Sequence, residues 1–106
     1  MSRETKLKVD ITPPVINFFN YTIDKRRVSF FFNVSEINFD EINYIDYNDR
    51  RPRERILCLR LKKGICGKSV IFNVGIHNVS FNVLDEAGNT ASIENVNITI
   101  FRHDLL

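Results

Sequence analysis

Apolar and polar residues alternate most clearly at the end of the chain. From Val74 to Ile100 the sequence reads VGIHNVSFNVLDEAGNTASIENVNITI, with Val79, Phe81 and Val83 on one parity and then Val96, Ile98 and Ile100 on one parity. Asn, Ser and Thr at the intervening positions are what a strand carries when one face meets a core and the other meets water. Between the runs lies Leu84-Asp85-Glu86-Ala87-Gly88-Asn89-Thr90, where Gly88 is free to take positive φ and Asn89 tolerates it. The pattern predicts a long terminal β-hairpin.

Arg27 to Val34, RVSFFFNV, alternates in the same way. Val28, Phe30, Phe32 and Val34 fall on one face, and Ser29, Phe31 and Asn33 on the other. This predicts a central strand with one large ring, Phe31, on its outer side. A 3.6-residue spacing segregates the segment no better, and its Val and Phe content disfavours helix. Upstream, Val9 to Ile16 contains Pro13-Pro14, which cannot donate to a ladder and which suit an edge strand. Asn17 to Lys25 carries the chain over to a turn at Asp24-Lys25.

Downstream, Ser35 to Glu41 is a polar connection with a short helical turn. Ile42 to Tyr47 is the next strand, with either Ile42/Tyr44 or Ile45/Tyr47 inward. Asp49 to Arg55 is a charged loop broken by Pro52. Ile56 to Leu61 places Leu57, Leu59 and Leu61 inward and Cys58 and Arg60 outward, and Val70 to Asn73 makes one more short strand after Lys62-Lys63-Gly64. About seven short strands with frequent turn signals and no helix-period segment predict an all-β fold, an antiparallel β-sandwich of immunoglobulin-like topology.

The 106 residues, 43% hydrophobic and 11% aromatic, suffice for one sandwich core and leave no room for a second domain. Residues 9–101 make up the domain, 1–8 an N-terminal extension or artificial start, and 102–106 a C-terminal tail. A formal charge of +2 points to no nucleic-acid partner and no anionic membrane. The charged N-terminus is followed by no apolar run, so it is not a signal peptide, and no segment has the roughly 18 apolar residues of a membrane span.

Two short sequences resemble those of a known family. Asp10-Ile11-Thr12-Pro13-Pro14-Val15-Ile16 resembles the opening of the tandem immunoglobulin-like modules (bacterial Ig-like or PKD-like) of bacterial and archaeal surface proteins. Leu84 to Thr90 resembles the Asp-x-Ala-Gly-Asn tip of their last hairpin, and Val74-Gly75-Ile76-His77-Asn78 the Gly-x-His before their penultimate strand. The resemblance spans roughly residues 9–101. It implies a spacer, an adhesin segment or an appendage of a secreted enzyme, with neighbouring domains of the same chain as partners. The chain lacks the core tryptophan of antibody-type domains, and its cysteines are not on the strands that antibody domains bridge.

Cys58 and Cys66 flank Lys62-Lys63-Gly64. A hairpin folded there opposes them at a distance a disulfide spans, and closing the loop would stabilise the fold by about 2.5 kcal/mol in the chain-entropy model. The alternative is a pair of free thiols in a reducing cell. Asn20, Asn33, Asn78 and Asn97 stand in Asn-x-Ser/Thr sequons and are candidate glycan carriers, although strand alternation alone produces such triplets. Disulfide and sequons together predict an extracellular or cell-surface location, as part of a longer precursor.

Among other candidates, Asp10, Asp85, Glu86 and Asn89 are hard oxygen donors for calcium, the one cofactor considered, against the reading that Asp85 and Asn89 simply bond the turn backbone. Arg50, Arg51, Arg53 and Arg55, joined by Lys62 and Lys63, form a basic cluster for an anionic glycan, interrupted by Asp49 and Glu54. His77 and His103 have no ligand-like partners in sequence, and no catalytic motif occurs, so no enzyme is predicted. The predicted function is a non-catalytic structural or adhesion module, with an accessory carbohydrate- or protein-binding domain, acting through the arginine loop or Phe31, as the alternative.

Overall fold

A computed structural model describes residues 12–102, so Asp10 and His103 lie outside the described residues. Seven antiparallel strands follow in order: β1 (Val15–Asp24), β2 (Arg27–Ser35), β3 (Phe39–Asp46), β4 (Arg55–Cys58), β5 (Ile65–Ile71), β6 (Gly75–Asp85) and β7 (Thr90–Ile100). They form two sheets, β1-β2-β5 and β4-β3-β6-β7, over one shared core. The all-β sandwich expected from the alternation is therefore what the chain forms. Residues 36–38 make a turn in place of the expected helical one.

β2 shows why the alternation is decisive. Val28, Phe30, Phe32 and Val34 are buried, while Phe31 points outward at 40% exposure. Across the core, Val79, Phe81 and Val83 of β6 are fully buried. The Phe81 ring lies 4.9 Å from Phe30, 5.3 Å from Phe32 and 5.3 Å from Phe19, so one side chain of the four-stranded sheet sits among three of the other. In β3 the parity resolves to Ile42 and Tyr44 inward, with Tyr47 exposed.

Bulges explain where the alternation misled. Asn17 is an extra residue in β1, between the pairs Ile16–Val34 and Phe18–Asn33. It puts Ile16 and Phe19 on the same inner face, so that Asn17 to Asp24, expected only to carry the chain over, is most of a strand. In β4, Cys58 pairs with Ile42 and Ile56 with Asn43, which leaves Leu57 as the extra residue. Leu57 and Cys58 are consequently both buried, and Leu59 is 65% exposed. The expectation of Leu59 inward and Cys58 outward is corrected accordingly. A third bulge, at Glu94-Asn95 of β7, lets Ile93 and Val96 both meet the core, with Asn95 at φ 59°. These three lie in edge strands, where a break in the ladder discourages pairing with foreign strands, and a fourth extra residue, Asp40, falls in β3 between the pairs Phe39–Asp85 and Glu41–Leu84.

The Cys58–Cys66 disulfide forms, with Cα atoms 6.2 Å apart. Its setting differs from the expected hairpin, because β4 and β5 belong to different sheets. The bond ties the sandwich together along its open β4/β5 edge. The chain reverses between them through a two-residue turn, Lys63-Gly64, closed by Lys62 N–H to the Ile65 carbonyl (2.9 Å) and the reciprocal bond (3.0 Å). Both turn residues have positive φ, 55° and 80°, which suits Asn-Gly far better than Lys-Gly. Lys63→Asn is expected to raise stability by about 0.5–1 kcal/mol, visible as a higher urea midpoint at unchanged slope.

Candidate functional site

Strand ends define two poles of the sandwich. At one, β3 and β5 stop and β4 and β6 start; here Asp46 and His77 come together. Asp46 ends the inward row Ile42-Tyr44-Asp46, and His77 begins the inward row His77-Val79-Phe81, so register alone makes them neighbours. His77 Nδ1 lies 2.6 Å from Asp46 Oδ2 and Nε2 lies 2.8 Å from the Asn73 carbonyl. Both side chains are about nine-tenths buried. Each ring nitrogen thus faces an oxygen. Asp46 Oδ1 also accepts the Asn48 N–H at 3.0 Å, which shapes the start of the loop between β3 and β4.

Beside this pair is an open cleft of about 630 Å³. Asp49, Arg50 and Arg55, from the β3–β4 connection and the start of β4, line it together with Ile71, Val74 and Ile76, from the end of β5 and the start of β6, and with Tyr44 and His77. Arg55 donates to Asp49 at 3.2 Å. That bond, reinforced by the backbone N–H groups of Arg51 and Arg50 and by the charge of Arg55, holds the Asp49 carboxyl below its usual range. Burial pushes the Tyr44 phenol above its ordinary value; Arg55 opposes the shift, and Asp46 and Asp49 add to it.

The raised Tyr44 phenol has a consequence for alkaline stability. Unfolded chains lose the Tyr44 proton first, so stability falls as pH rises above about 10. Tyr44→Phe is expected to flatten that decline above about pH 10, read from denaturation midpoints of the two proteins.

The arginine loop is thus partly neutralised from within. Arg50, Arg51 and Arg53 are exposed, but Arg55 is held by Asp49. Lys62 and Lys63 do not join them: Ile65, next to their turn, pairs with Asn33 towards the opposite pole, whereas Arg55 pairs with Tyr44.

At that opposite pole the Asp85-Glu86-Ala87-Gly88-Asn89 motif forms the β6–β7 turn. Asp85 is 1% exposed. Its Oδ1 accepts the N–H groups of Ala87 (3.0 Å) and Asn89 (2.8 Å), and its Oδ2 the Asn89 side-chain amide (3.0 Å). The carboxylate is directed at the turn's own donors, the arrangement such residues adopt without an ion. Glu86 is exposed, and among the described residues no group of three or more His, Cys, Asp or Glu side chains is arranged to hold a metal. Asp10, the remaining calcium candidate, lies outside the described residues.

The sequons divide by exposure. Asn20 and Asn97 are exposed, on the edge strands β1 and β7. Asn33 and Asn78 are half-buried, Asn33 accepting from Asn17 (3.3 Å) and Asn78 donating to Asn95 (3.4 Å). On the outer face of the three-stranded sheet, Phe31 meets Phe18 edge-on at 5.9 Å, with Gly67 opposite Phe31 in the register. Sequence reading missed the Asp46–His77 pair and Phe18, since both depend on register or on the Asn17 bulge. Compared with known proteins, the chain matches no protein-family model, no curated protein and no solved structure.

Proposed function

We propose that this chain is a non-catalytic immunoglobulin-like module, a spacer or adhesion segment of a larger secreted or cell-surface protein. One observation carries the reading: the chain enters and leaves at opposite poles. Val15, the first residue of β1, pairs with the last of β2 at the Asp85 pole, whereas Ile100, the last of β7, pairs with Gly75 at the His77 pole. Neighbouring segments are then held in line, separated by the length of β7, roughly 35 Å.

Other features support it. The strand order, with β1-β2-β5 against β4-β3-β6-β7, is compatible with the immunoglobulin-like sandwich class, with β4 placed beside β3. The Asp-x-Ala-Gly-Asn sequence sits at the hairpin tip and Gly75-Ile76-His77 opens β6, where the resemblance calls for them. A disulfide across the sheet edge suits an oxidising, extracellular compartment. At the exit pole Ile71, Val74, Ile76 and Phe101 are 48–70% exposed, apolar surface for a following domain to cover.

Two copies joined head to tail and studied by small-angle X-ray scattering test the reading. An extended pair with resolved lobes is expected, and a compact particle with the lobes folded together would count against it. The second reading, an accessory carbohydrate- or protein-binding domain, draws on the exposed Phe18–Phe31 pair and on the cleft beside Tyr44.

A further inference from the structure

The molecule carries a second concentration of positive charge, which the sequence does not separate from the arginine loop. The β4–β5 connection and the start of β5 bound an open cleft of about 760 Å³ beside the Cys58–Cys66 disulfide. Arg60, Lys62, Lys63 and Lys68 line it, with Leu61 and Ile65 between them and no carboxylate in the lining. None of the four cations makes a salt bridge among the described residues, in contrast to Arg55, which is paired with Asp49. Glu36 lines an adjoining hollow that shares Arg60 and Leu61.

One further feature belongs to this place. On β5, a free edge of its sheet, Gly67 adds no side chain to the lining beside Lys68.

We infer that this cleft binds an anionic polysaccharide, with Arg60, Lys62, Lys63 and Lys68 meeting sulfate or carboxylate groups and Leu61 and Ile65 lying against the apolar faces of the sugar rings. Four cations spread around an open cleft suit repeated anionic groups better than a single small ion. Three of them are lysines, point charges that accept either group without the planar fit an arginine fork demands. No aromatic ring lines the cleft, so it offers no stacking platform for nucleic-acid bases. A disulfide suits an oxidising, extracellular setting, where polysaccharides are abundant polyanions. The site is separate from the surfaces named above, and the spacer role stands whether or not it binds.

Binding of the intact, disulfide-bonded protein to heparin and to polygalacturonate, measured by calorimetry at about 50 mM salt, tests the inference and tells a sulfate reader from a carboxylate reader. Lys62→Ser/Lys68→Ser is expected to weaken binding roughly 25-fold, about fivefold per cation against a dense anionic surface. Lys25→Ser/Arg27→Ser removes the same charge from exposed positions at the other pole and is expected to leave binding unchanged. Thermal midpoints verify folding, and Arg60→Ser/Lys68→Ser carries the test should the first pair misfold. Equal loss in the two charge-matched variants, no binding by the parent protein, or tighter binding to duplex DNA or anionic vesicles would each overturn the site.

Discussion

Phe81→Ala is expected to cost about 3–5 kcal/mol and to lower the melting temperature by about 15 °C or more. Phe81 is fully buried and is the residue of β6 whose ring meets Phe19, Phe30 and Phe32 of the opposing sheet and Tyr44 of its own. Alanine there removes the transfer free energy of a phenyl ring and leaves a void that two hydrogen-bonded sheets cannot collapse to fill. Each edge-on or tilted ring pair adds about 0.5–1.5 kcal/mol beyond its buried area. Phe81→Leu keeps most of the volume and loses only the ring contacts, so it should cost less than half as much. Urea titration of the three proteins decides the point, and similar costs for Ala and Leu would mean that the neighbouring rings, not the volume of Phe81, set the sheet spacing.

The strands that alternate without interruption were legible in the chain. β2 and the first part of β6 have one inward row each, and a period-two pattern fixes which face of such a strand is buried. The errors fall where one extra residue shifts the parity. Nothing in VINFFNYTI tells the reader that Asn17 bulges, yet its side chain caps the irregularity by donating to Ser35 Oγ at 2.8 Å and Asn33 Oδ1 at 3.3 Å, bonds that exist only once β1 and β2 have paired. The same holds at Leu57, where two consecutive buried residues are incompatible with a regular strand.

The disulfide illustrates how a correct pairing can follow from an incomplete geometry. A short loop between Cys58 and Cys66 keeps them close whether they oppose one another in a hairpin or span the gap between two sheets. Spacing therefore predicted the bond and not its role. That role is the more consequential part: β4 is only four residues long and β5 is an edge strand, so the bond secures the part of the sandwich with the fewest ladder hydrogen bonds. The arginine and lysine clusters show the reverse error. They are close in sequence and lie towards opposite poles, because β4 runs from one pole towards the other between them.

His77→Ala is expected to destabilise the domain by about 3 kcal/mol, chiefly through what it leaves behind. Removing the imidazole deprives Asp46 Oδ2 and the Asn73 carbonyl of their ring partner, and the carboxylate remains at the end of a buried row beside Tyr44. It also takes away the ring against which Phe72 packs at 5.0 Å, so the connection from β5 to β6 loosens along with the wall of the adjoining cleft. Asp46→Asn in the same background should recover part of the loss, because the amide removes the stranded charge while its oxygen can still accept the Asn48 N–H. Denaturation midpoints of the two single variants and the double variant give the coupling. A double variant less stable than His77→Ala alone would show that Asp46 holds the loop chiefly through Asn48, leaving the Asp46–His77 contact without the stabilising role that its burial and short distance assign to it.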